Sequence, residues 1–109
     1  MPIYNKLVRD LIPEIIASSG KQFSFKVLNE VEYVKELKAK CYEEIKEYTS
    51  TENDKDALEE LADLLEIINS LAACHGASIT DLEEVRKMKA ETRGGFQKRI
   101  FLEEVFDNI

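Results

Sequence analysis

Two pairs of acids carry the chemistry that this chain offers. Glu44 and Glu47 stand three apart, as do Glu60 and Asp63, with twelve residues between the pairs. Spacing of three places both members of a pair on one face of a helix. Carboxylates in such number repel: two that meet at about 4 Å cost roughly 4 kcal/mol at an effective dielectric near 20. They need protons, cationic side chains or a metal ion. With no Cys or His in the set, Mg²⁺, Mn²⁺ or Ca²⁺ suits it better than zinc. Mg²⁺ commonly leaves positions open for substrate phosphates, so nucleotide or polyphosphate chemistry is the natural expectation. The plain alternative is a solvated acidic face. Against it, Glu60 and Asp63 are embedded among Leu61, Leu64, Ile67 and Ile68.

Convergence of the four depends on the elements that carry them. From Val31 to Tyr48, apolar residues recur in steps of three and four through Val34, Leu37, Cys41 and Ile45. That pattern predicts a long amphipathic helix, with Asn29 as its N-cap. Ser50 to Asp54 reads as a connector, and Asn53 or Asp54 as the next cap. A second helix follows, ending at His75-Gly76, with an apolar arc wider than one stripe. It reads as a central helix touched on several sides. Paired antiparallel across a short connector, the two helices put residue 43 near the level of 60 and residue 44 near 59. Helical side chains lean toward the N-terminus. Glu47 therefore leans back toward Glu44, and Asp63 toward Glu60, so that all four acids are expected in one small region. Glu43 and Glu59 are expected outside it.

Around this pair the sequence predicts shorter pieces. Residues 6–11 read as a first turn, and a helix begins near Ile12 with Pro13 at its start and Gly20 as its stop. Gln22 to Leu28 alternates apolar and polar residues, the pattern of a short strand or extended connector. Ser78 or Thr80 opens a last helix, with Thr80 and Glu83 at capping-box spacing, and Arg93-Gly94-Gly95 breaks it. Residues 97–109 are compatible with a strand, a short helix or a tail that packs on a partner. The fold class is all-α, an antiparallel bundle of about four helices in a single domain spanning 1–109.

Four cations could meet phosphates. Lys6 and Arg9 are three apart in the N-terminal segment; Lys89 and Arg93 are four apart, just before the glycines. Surface charge is the alternative for each. Lys40, one turn before Glu44, is placed to pair with that acid, and His75 suits a helix end rather than catalysis.

Composition bounds the partners. The net charge of −7 argues against a nucleic-acid backbone as the main one. The chain of 109 residues can build only a thin core, which points to completion by oligomerisation. No apolar run of about 18 residues is present, so no membrane span is expected. Two widely separated cysteines, Cys41 and Cys74, and an opening without an apolar leader suit reduced thiols in a cytoplasmic protein.

Glu43-Glu44-x-x-Glu47 with Glu60-x-x-Asp63 resembles the double acidic signature of the MazG-like all-α nucleoside triphosphate pyrophosphohydrolases. This superfamily includes dimeric dUTPases and phosphoribosyl-ATP pyrophosphohydrolases. The opening Tyr4-Asn5-Lys6-Leu7-Val8-Arg9-Asp10 with Ile12-Pro13, and Lys89 with Arg93-Gly94-Gly95-Phe96, resemble a subgroup labelled phosphoribosyl-ATP pyrophosphohydrolase-like. The resemblance implies a helical homodimer or homotetramer that uses Mg²⁺ to split a nucleotide between its α and β phosphates. It also implies Glu44, Glu47, Glu60 and Asp63 as catalytic metal ligands. House-cleaning of the nucleotide pool suits a small chain at least as well as the phosphoribosyl-ATP reaction. The alternatives are an acidic helical interaction module without turnover and a structural Ca²⁺ site.

Overall fold

The computed structural model describes residues 4–107. Four helices follow in order: α1 (Ile12–Ser18), α2 (Glu30–Thr49), α3 (Asp54–Cys74) and α4 (Ile79–Arg93). Among the described residues there is no strand. Residues 22–28 are an extended connector, because an alternating segment with no neighbouring edge has nothing to satisfy its backbone groups except water. No regular structure spans 6–9; the expected turn is confined to Asp10-Leu11, where the Ile12 N–H donates to the Arg9 carbonyl at 3.0 Å.

Caps fix the helix starts. The Asn29 side chain accepts from the Glu32 N–H, and Asn53 accepts from the Asp56 N–H, each at 2.9 Å. Both satisfy a donor that the first helical turn leaves unpaired. At α4 the capping box is Ser78 with Asp81, not Thr80 with Glu83. Asp81 reaches back to the Ser78 N–H at 2.9 Å while its own N–H donates to Ser78 Oγ at 3.1 Å. Glu83, one turn on, is taken instead by Arg86. Gly94 ends α4 at φ +83°, a conformation that costs glycine little.

The packed unit is the α2–α3 hairpin, closed by the four residues 50–53. Its core is Leu37 from α2 with Ile67 and Ala72 from α3. Helix α4 leans on α3, and no helix packs on α1. Helix α3 is thus touched on fewer sides than its wide apolar arc suggests, and Leu58, Leu61 and Leu65 stay exposed. The molecule is long, 70 × 36 × 25 Å, with a radius of gyration of 19.1 Å. A compact chain of this length would have about 13 Å. No described helix is long and apolar enough to cross a membrane.

Candidate functional site

The hairpin brings three acids together. Glu44, Glu47 and Glu60 each place one carboxylate oxygen within 4.8 Å of the others. Two come from one face of α2 and the third from α3, and the short connector sets the register that makes them meet. Their surroundings differ. Glu44 is 8 % exposed, a rare state for an ionisable side chain, whereas Glu60 is half-buried and Glu47 exposed. The Oε2 atoms of Glu44 and Glu60 are shielded from solvent and have no hydrogen-bond partner among the described residues. An orphaned carboxylate oxygen is among the more costly groups a fold can bury.

Electrostatics follow from that burial. Loss of water pushes the Glu44 carboxyl up to about 7. A hydrogen bond shared with Glu60 and the negative charges of Glu47 and Asp63 add to the rise. For Glu60 the strongest influence is the bond from Glu44, which lowers it. Burial, a contact with Glu47 and the charges of Glu47 and Asp63 together outweigh it and leave Glu60 raised. A proton held by either carboxyl is what lets Glu44 and Glu60 share a hydrogen bond. Once both are ionised they are acceptors alone, and no donor serves their buried oxygens.

Asp63 lies outside the three-oxygen set, although its charge reaches Glu44 and Glu60. Its Oδ1 accepts from Arg9 Nη2 at 2.6 Å. Lys6 Nζ, from the same N-terminal segment, donates to Glu43 Oε1 at 3.2 Å. The segment therefore carries one cation to each helix of the hairpin, both beside the acids. Lys40 lies 3.7 Å from Glu43 rather than pairing with Glu44. Burial turns the Glu44 carboxylate into the hairpin, away from the surface that Lys40 shares with Glu43. Lys89 and Arg93 sit in the last turns of α4 and have no ion-pair partner among the described residues. The structure therefore brings Lys6 and Arg9 to the acids but leaves Lys89 and Arg93 on a helix that, among the described helices, contacts only α3. His75 is the C-cap residue of α3 and takes no part in the cluster.

The Lys6–Glu43 contact spans 37 positions and the Arg9–Asp63 contact 54. No periodic pattern in the chain announces either. The only hint is the three-residue spacing of the two cations.

The donor set fits a hard divalent cation. All three groups offer oxygen, Glu44 and Glu60 each also carry an orphaned oxygen, and the exposed Glu47 leaves one side open to solvent. Fold and site together define an all-α helical-hairpin protein with a partly buried carboxylate cluster. No protein-family model, curated protein or solved structure matches the chain.

Proposed function

We propose that this chain is a Mg²⁺-dependent nucleotide pyrophosphohydrolase, with Mn²⁺ as an alternative ion. The observation that carries the reading is the pair of buried, unpartnered oxygens on Glu44 and Glu60, within reach of Glu47. A shielded acid pair with no donor is the arrangement a cation relieves. The resemblance of the two acidic motifs to the MazG-like enzymes supplies the reaction class: cleavage between the α and β phosphates, giving a monophosphate and pyrophosphate.

In this reading Glu44, Glu47 and Glu60 would hold the ion, and Asp63, once free of Arg9, would be a fourth ligand. The ion supplies charge neutralisation at the phosphate oxygens. Lys6 and Arg9 exchange Glu43 and Asp63 for phosphate oxygens, anionic acceptors that suit an ammonium and a guanidinium as carboxylates do. Lys89 and Arg93 are a second source of cations for the phosphates. One carboxylate of the cluster accepts the proton of the attacking water. The substrate is a nucleoside triphosphate or related nucleotide, the setting nucleotide-pool house-cleaning in the cytoplasm, and the working form a homodimer or homotetramer.

The test is pyrophosphate release from a panel of natural and damaged nucleoside triphosphates with Mg²⁺. Release that disappears in Glu60→Gln and Asp63→Asn supports the enzyme. If no substrate is cleaved and no metal binds, the acidic helical interaction module takes its place. Metal-dependent melting without turnover or preference for Mg²⁺ would indicate a structural Ca²⁺ site.

A further inference from the structure

The segment after α4 is the least explained part of the molecule. Residues 96–107 carry Phe96, Ile100, Phe101, Leu102, Val105 and Phe106, every one of them exposed, Phe96 at 95 % and Phe101 at 87 %. The segment forms no helix or strand. Six large apolar side chains in twelve residues are far more than a solvated tail needs, and each loses about 25 cal/mol per Å² left in water.

The size of the exposed surface says how much cover is missing. The chain exposes 10374 Å². A compact monomer of its mass would expose about 6,200 Å². A flat contact between helix faces, as in an obligate dimer, hides roughly 1,000–2,500 Å² per chain. Pairing of the α3 faces alone therefore leaves much of the excess in water. The exposed apolar terminal segment is a further part of that excess.

Charge identifies the neighbour. Residues 86–99, leading into and opening the tail, carry six cations against one acid. Residues 52–66, the start of α3 and its approach, carry seven acids against one lysine. Among the described residues no ion pair joins these two stretches within the chain. The acidic stretch also holds Leu58, Leu61 and Leu65, all exposed. A basic, apolar-tipped segment and an acidic helix face with exposed leucines are complementary, and one chain carries both.

We propose that the α4 end and the 96–107 segment of one copy dock on the first half of α3 in a second copy. The exchange is reciprocal in a two-fold dimer. Lys89 and Arg93 of one copy then face Asp54, Asp56 and Glu59 of the other, exposed α3 acids outside the carboxylate cluster. The proposal deepens the oligomer reading above and needs neither metal nor nucleotide, so it can fail while the hydrolase reading stands.

Sedimentation equilibrium of the full chain tests it together with two variants, Phe101→Glu/Phe106→Glu and Lys98→Glu/Arg99→Glu. All four positions are exposed, so helicity by circular dichroism is expected to be unchanged. The wild type is expected at a multiple of 12.5 kDa, and both variants are expected to associate at least tenfold more weakly. A wild type that stays at 12.5 kDa, or a tail variant that associates as tightly as the wild type, overturns the proposal. Carbodiimide cross-linking of co-refolded ¹⁴N and ¹⁵N protein then reports the direction of docking. Lys98 is expected to link to α3 carboxylates in mixed-isotope pairs as often as in like pairs. Links confined to like-isotope pairs, or none to α3, place the tail elsewhere and overturn it.

Discussion

Arg9 Nη2 donates to Asp63 Oδ1 at 2.6 Å, tying a helix-free N-terminal segment to α3 one turn beyond Glu60. Both side chains are more than a third exposed, so the pair adds at most about 1 kcal/mol to stability. Its importance is functional in the proposed reaction. Arg9→Ala is expected to lower kcat/KM for a Mg²⁺-nucleotide at least tenfold while the melting temperature falls by no more than a few degrees. Melting curves and a pyrophosphate assay on the same preparation check both halves.

Glu44 is expected to give the metal-free chain a pH dependence of unusual sign for an acid. Burial raises its carboxyl from 4.5 to about 7, so the folded chain holds a proton that the unfolded chain releases. Its stabilising contribution is full below pH 4.5 and is lost as pH rises toward 7 and beyond. In the absence of metal, the melting temperature is expected to fall between those values. Glu44→Gln, a neutral isostere, is expected to flatten that fall and to melt higher than the wild type at pH 8. Calorimetry across pH 4 to 9 decides the matter.

Divalent cations are expected to reverse the same loss. Mg²⁺ or Mn²⁺ should raise the melting temperature at pH 8 and do little at pH 5, where protons compete for Glu44 and Glu60. Glu60→Gln should weaken Mn²⁺ binding at least tenfold, measured by titration calorimetry, because it replaces one carboxylate oxygen with an amide NH₂ and removes the negative charge of the proposed ligand. Equal Mn²⁺ affinity in wild type and variant would remove Glu60 from the ion's ligands.

The register of the acids depends on the 50–53 connector, and Asn53 holds its end. Asn53→Ala is expected to cost about 1 kcal/mol through loss of the α3 cap. Ser78→Ala removes the α4 capping box by the same chemistry. Because α4 buries no residue, that variant should fray α4 locally and leave the hairpin's melting close to wild type. Hydrogen exchange resolved by helix distinguishes the two.

Much of this architecture is written locally. Steps of three and four, Asn29 and Asn53 ahead of their helices, and Gly94 after Arg93 are each decided within one or two turns, so α2, α3 and α4 were legible from the sequence. Of the four acids expected to meet, Glu44, Glu47 and Glu60 do, because four connector residues leave a hairpin little freedom of register, while Asp63 lies outside the set. The choice of capping box was not legible: Ser78–Asp81 and Thr80–Glu83 differ only in which serine or threonine leaves the helical conformation first.

What the sequence by itself determined is therefore the helices and the meeting of acids on a hairpin. The tertiary structure decided that Glu44 is the acid shut away from water, that Asp63 is held by Arg9 and Glu43 by Lys6, and that α1 and the terminal segment stand apart from the packed pair. The physical reason is range. Caps and periodicity act over one turn of helix, whereas burial and ion pairing join residues 37 and 54 positions apart, where only the folded path of the chain sets the distance.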